Sequence, residues 1–181
     1  MKEIKNWDEL DSSSEVVEFL NIEKGAYICQ IKEVEDVTDK EYLKIKFDVV
    51  DGKFKNYFSD NYLLQNWPNQ GTLYKSYKDT ASKFFRAFIT AVEKSNANKN
   101  YKWNWDERTL VGKYVVVVFG EKEYQDKETL EVKVSVKPVD TRSIQAYKEG
   151  KIELPPLKKL KTKIEKQNET EFEVDEDDLP F

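Results

Sequence analysis

The sequence predicts an all-β domain with one helix, flanked by charged termini. Three observations carry that expectation. Apolar and polar residues alternate with period two in several separate stretches, as in half-buried strands. Residues 80–94 alone switch to helical spacing. Asp51-Gly52, residues that tolerate positive φ, follow the clearest alternating stretch and read as a hairpin turn.

Taken in order, Tyr27, Cys29 and Ile31 alternate with Ile28, Gln30 and Lys32, giving a first strand over about 26–34. The polar stretch Glu35 to Glu41 makes the turn. The second strand puts Leu43, Ile45, Phe47 and Val49 on one face and Tyr42, Lys44, Lys46 and Asp48 on the other. After Gly52 a third strand is expected over 53–58, with Phe54 and Phe58 opposite Lys53, Lys55 and Tyr57. Pro68 and Gly71 break any period in 60–78. In the helix, Phe84, Phe85, Phe88, Ile89 and Val92 form one stripe, and Asp79 or Thr80 can cap its start. A fourth strand, 113–124, is apolar on both faces from Val115 to Phe119, hence buried on both sides. Leu130, Val132, Val134 and Val136 alternate with charged or polar residues in a fifth.

The order β-β-β-α-β-β is that of an OB-like five-stranded Greek-key barrel with its helix between strands three and four. The expected organisation is an acidic arm at 1–23, the barrel at 24–140, a basic Pro-containing linker at 141–164, and a disordered acidic tail at 165–181.

Charge and composition narrow the chemistry. Of 181 residues, 39% are apolar and 36% charged, against about 45–50% and about 25% in an average domain. The excess charge must therefore lie outside a core. Net charge is −5 over residues 1–23, +7 over 24–164 and −7 over 165–181, so the foldable body is basic although the whole chain is acidic. There is no histidine, which removes Ser-His-Asp and Cys-His catalysis and His-ligated metals. The single cysteine, Cys29, excludes an internal disulfide and is expected in the core. No apolar run approaches the ~20 residues of a membrane span, and residues 1–25 do not read as a secretory signal. No enzyme, cofactor or membrane partner is expected.

Two surfaces carry basic and aromatic residues together. Tyr42, Lys44, Lys46, Lys53, Lys55 and Tyr57 form the outward face of strands two and three, where ammonium groups attract phosphates and rings stack on unpaired bases. The same residues would equally serve to cover the wet side of a half-exposed sheet. The stretch from Tyr74 to Trp105 adds Lys75, Tyr77, Lys78, Trp103 and Trp105. Trp103 and Trp105 flank a single Asn, so both rings can point one way, or one can be buried and the other available. Phe84, Phe85 and Phe88 are assigned to the helix core. Asp48, Asp51 and Asp60 read as ordinary solubilising acids rather than a magnesium site. Gly52-Lys53 and Gly112-Lys113 lack the upstream glycine of a phosphate loop.

The C-terminus runs Glu171-Phe172-Glu173-Val174-Asp175-Glu176-Asp177-Asp178-Leu179-Pro180-Phe181. Like charges keep such a segment extended, and the apolar end can enter a partner's pocket while the acids steer its approach. Asp177-Asp178-Leu179-Pro180-Phe181 resembles the ending of bacterial and phage single-stranded DNA-binding proteins: a run of aspartates, a short apolar residue, Pro and Phe. The stretch from Trp67 through Lys78, the run Glu93-Lys94-Ser95-Asn96, and Trp103-Asn104-Trp105 are similar to phage and mobile-element proteins of replication modules. The resemblance implies a barrel that holds single-stranded DNA during replication, recombination and repair. It also implies a tail that recruits partner proteins through Asp175, Asp177, Asp178, Leu179, Pro180 and Phe181. The setting it implies is the cytoplasm of a bacterial cell or phage-infected host. The acidic N-terminal arm and the lack of a Gly/Gln-rich linker depart from the common pattern and leave homo-oligomerisation open. The alternative is an OB-fold module that binds another replication or recombination protein.

Overall fold

The computed structural model describes residues 21–61 and 71–160. The acidic tail, most of the acidic arm and Trp67 lie outside the described residues. Five strands form one antiparallel sheet: β1 (Gly25–Val37), β2 (Tyr42–Val49), β3 (Thr72–Ser76), β4 (Tyr114–Gln125) and β5 (Val132–Arg142). Their order across the sheet is β3-β2-β1-β4-β5. The main helix, α2 (Ser82–Ser95), lies between β3 and β4 in the chain, and short helices α1 (Tyr57–Asp60) and α3 (Ile144–Lys148) follow β2 and β5.

β1 and β2 form because their alternation leaves one apolar face. Cys29, Ile31, Leu43, Ile45, Phe47 and Val49 all enter the core. β1 runs past the expected end at 34 because a bulge between Ile31 and Glu33 shifts its register. The extra residue breaks the alternation and lets Val34 pack inward again. In β4, Val115, Val117 and Phe119 face the core, while Val116 and Val118 are buried on the opposite side, where α3 packs. That double burial is what the unbroken apolar run predicts.

The third strand is a correction. Residues 53–58 form a turn and the start of α1, and β3 lies at 72–76, in the stretch read as irregular. Phe54, Tyr57 and Phe58 are spaced i, i+3, i+4 and are all buried, which one turn of helix accommodates and a strand does not. Gly52 and Asn56 adopt left-handed backbone, at φ 79° and 58°. Asp48 fixes the result. Its carboxylate accepts the Phe58 and Ser59 amides, each at 3.0 Å, and the Ser59 hydroxyl. Buried at the end of β2, Asp48 is thus a structural cap rather than a solubilising acid.

α2 buries Phe85, Phe88, Ile89, Ala91 and Val92. Phe84, expected in this stripe, is 61% exposed, since it falls at the helix's first turn on the margin of the buried face. A 3-10 turn, Asp79–Ala81, leads in with no side-chain cap. At the other end Asn96 is fully buried. Its amide donates to Val92 O at 2.7 Å and Tyr114 O at 2.8 Å, and its Oδ1 accepts Tyr114 N–H at 3.0 Å. One side chain thereby joins the helix to the first residue of β4.

β5 continues beyond Pro138, which sits at a register shift opposite Phe119 on the sheet's edge, where a missing N–H is tolerated. Residues 141–160, expected within a linker, hold the end of β5, α3 and a segment laid along β4. Lys158 N donates to Glu121 O and Glu123 N to Lys158 O, both at 2.9 Å. Pro155 closes over Gly120, where a Cβ would meet its ring at 3.0 Å. Among the described residues no helix is long and apolar enough to cross a membrane.

Asn96→Ala removes three hydrogen bonds and leaves both backbone groups of Tyr114 short of a partner. The expected loss is about 2–4 kcal/mol of unfolding free energy, measured by urea denaturation; a change under ~0.5 kcal/mol would contradict this role for Asn96.

Candidate functional site

The outward face of β2 and β3 is set by their register. Lys44 lies opposite Tyr74, and Lys46 opposite Thr72. On its other side β2 pairs with β1, which sets Glu35 against Lys44 and Glu33 against Lys46. Glu33 and Lys46 form an ion pair at 3.0 Å. The lysines expected to make a purely basic face are therefore flanked by carboxylates from the central strand. Tyr42 is buried, with its ring edge-on to Tyr74 at 5.7 Å. Tyr74, which the sequence reading did not place on this face, takes the position expected for Tyr57. The signal was the alternation of Thr72, Tyr74 and Ser76 with Leu73 and Lys75.

Lys53, Lys55 and Tyr57 do not share this face. Lys53 and Lys55 stand exposed on the turn after β2, and Lys53 pairs with Glu23 at 3.3 Å. Tyr57 is buried against Phe54 and Phe58, and its hydroxyl accepts Ile22 N–H at 3.2 Å. Lys75 points inward, because it pairs with Leu43 of the core. Its ammonium lies 5.5 Å from the centre of the Phe88 ring. Burial lowers its pKa to about 8, and Asp140 and Arg142 of β5 act on the same charge in opposite directions.

A second arrangement is aromatic. Tyr77 meets Phe85 edge-on at 6.0 Å, Phe85 meets Trp103 at 6.3 Å, and Trp103 meets Trp105 at 6.3 Å. The chain of rings runs from the core outward. Phe85 is buried, Trp103 half-buried and Trp105 82% exposed. Of the two indoles, one is packed and one is open. Tyr77 is an anchor: its hydroxyl donates to Asp36 at 2.7 Å, and its pKa is pushed up to about 12, first by burial and then by that bond. Lys78 is exposed beside it in sequence.

Trp105 sits at φ 65°, a left-handed conformation that is uncommon for a bulky side chain. The loop is fastened on both sides of it. Trp103 N–H donates to Glu93 Oε1 at 3.0 Å. Asp106 accepts Arg108 N–H at 3.1 Å and its guanidinium at 2.9 Å, and the Arg108 bonds hold the Asp106 carboxyl below the usual carboxylate range. The Thr109 hydroxyl closes on Asp106 O at 2.7 Å. Further along, Gly112 N–H donates to Ile31 O at 2.8 Å and Ile31 N–H to Lys113 O at 2.9 Å, tying the loop to β1 at its bulge.

Cys29 is buried and burial pushes its thiol pKa up, so it is no nucleophile. Among the described residues no cluster of His, Cys, Asp and Glu could hold a metal ion. The chain matches no known protein-family model and no curated protein.

The lowered pKa of Lys75 has a thermodynamic sign. Between about pH 8 and the ordinary lysine value of 10.5 the unfolded chain holds a proton that the folded chain has released. Stability must then rise with pH from this group. Above pH 10 the raised tyrosines act in the opposite direction. Between pH 8 and 10 the wild type should therefore gain thermal stability relative to Lys75→Met, and a gap that does not change with pH would contradict the inward, desolvated placement.

Proposed function

We propose that the protein is a non-enzymatic single-stranded DNA-binding protein, built on an OB-like Greek-key barrel and fitted with a partner-recruiting acidic tail. The observation that carries this reading is Trp105, an indole held 82% exposed on a strained, doubly fastened loop and backed by Trp103 and Phe85. Exposing so large an apolar ring works against the hydrophobic effect, and an unpaired base is the kind of flat partner that would cover it. The order β3-β2-β1-β4-β5, with the helix between β3 and β4, is the order of an OB barrel opened between its third and fifth strands. Lys44, Lys46, Lys78, Trp103 and Trp105 would form the DNA-facing set, with Tyr74 added and Tyr42 and Tyr57 serving as packing. The tail residues, Asp175 to Phe181, lie outside the described structure, and recruitment rests on their resemblance to the family's ending.

The second reading, a protein-binding module, draws on a different observation. Leu130, Val132 and Val134 are exposed on the β4–β5 hairpin, with Leu157 and Leu160 exposed in the segment beside it. That surface suits an apolar partner better than a phosphate chain.

Titration with oligothymidylate should quench tryptophan fluorescence, with affinity falling steeply as salt rises. Trp105→Ala should weaken binding about 5- to 160-fold, the range given by ~1–3 kcal/mol for one stacked base. Undiminished affinity in that variant, or no salt-dependent binding by the wild type, would favour the protein-binding module. In the tail, deletion of 171–181 should tighten DNA binding modestly at low salt and hardly at all at high salt. Deleting Phe181 alone should leave DNA binding unchanged; weaker binding after either deletion would place the tail in the binding site.

A further inference from the structure

A cleft of about 550 Å³ opens between the C-terminal end of α2 and α3. Lys94, Lys99 and Lys148 line it, with the ring of Tyr114 and the side chain of Ile144 supplying apolar surface. One carboxylate, Glu149, also reaches it, but that group is paired with Lys151 at 2.5 Å and accepts from Gln145 at 3.0 Å. The lining thus combines three lysines with apolar surface. Lysines at a helix C-terminus commonly do no more than complement the helix dipole. Two further features set this cluster apart.

The first is that rings and cations alternate from the cleft to the tryptophan loop. Lys99 Nζ lies 5.5 Å from the centre of the Tyr114 ring, and Lys113 Nζ lies 4.8 Å from that of Tyr101. Tyr101 in turn is joined to the base of the loop through Thr109 at 3.1 Å. The second is continuity in the chain: Lys99 precedes the Trp103–Trp105 segment by only a few residues, and Tyr114 opens the strand that follows it. The same chemistry, cation beside ring, therefore extends from Tyr101 at the base of the tryptophan loop into the cleft.

We propose that the cleft is a second subsite for single-stranded nucleic acid, in which Lys94, Lys99 and Lys148 hold backbone phosphates and Tyr114 with Ile144 receives a base. The proposal rests on the DNA-binding reading above and extends its track away from the β2–β3 face. A strand long enough to pass Trp105 would reach the cleft; a short one would be held at the tryptophans alone. A peptide of acids alone would satisfy the lysines but leave Tyr114 and Ile144 uncovered, whereas an acidic segment with an apolar end, such as 165–181, would cover both; the cation–ring pairs leading on to the tryptophan loop favour the nucleic-acid strand.

The test is a charge reversal, Lys99→Glu with Lys148→Glu, in the full-length chain, both residues being exposed. Thermal unfolding checks the fold. Oligothymidylates of about 6 and about 25 nucleotides are titrated at several salt concentrations. The 6-mer should bind wild type and variant alike. The 25-mer should lose at least tenfold in affinity and about 1.4 in salt slope, two phosphate contacts at ~0.7 each. A 25-mer carrying 5-iododeoxyuridine should also photocrosslink to Tyr114 in the wild type. Equal 25-mer binding by variant and wild type overturns the subsite while leaving the DNA-binding reading intact. Failure of the wild type to bind either oligonucleotide overturns that reading itself. A synthetic peptide of residues 165–181 that binds the wild type but not the variant, with 25-mer affinity unchanged, would reassign the cleft to acidic segments of protein.

Discussion

The arrangement depends on one irregularity in the central strand. β1 pairs with β2 along most of its length but with β4 only through Gln30. At the bulge that follows, the backbone of Ile31 turns its free N–H and C=O to Lys113 and Gly112 instead of to a strand. A buried main-chain group left without a partner is costly, so the exchange is obligatory. It fixes the loop that carries Trp103 and Trp105 along the second half of β1. Beyond Gln30, where pairing with β4 stops, the turn at Glu107–Leu110 lies against β1 in its place. The aromatic platform is therefore a consequence of how the central strand divides its hydrogen bonds.

How much of this was legible in the sequence follows from which signals are periodic. β2, α2 and β4 could be read because long alternating, helical or unbroken apolar patterns leave few other ways to bury those residues. β3 could not, because only Leu73 marks its inner face and a lysine occupies the next inward position. The mistaken strand at 53–58 came from giving Phe54 and Phe58 a period of two, when the burial of Tyr57 needs a helical turn. That turn is enforced from a distance by Asp48, and a long-range cap leaves no local trace. Phe84 shows the related limit: it lies at the margin of the buried face, where the helical period alone does not tell a covered position from an exposed one.

The candidate surfaces were legible in type and less so in place. Lysines and rings occur where the composition suggested, yet pairing decides what each contributes. Glu33 and Glu35, ordinary residues of the first strand in sequence, arrive beside Lys46 and Lys44 and reduce the positive field of that face. Lys75 turns inward and is lost to it. At the tryptophan loop Asp106 is likewise paired with Arg108, and Glu93 accepts the Trp103 amide. What sets that loop apart from the sheet face is the exposure of Trp105.

β5 stands at one end of the strand order. Lys133 and Lys137 interrupt the valines of β5, and Pro138 removes one donor from the middle of its edge. Such residues are the usual means of keeping an edge from templating another chain. Those residues make β5 a poor template for a second chain, so the sheet can end there without inviting another copy to extend it.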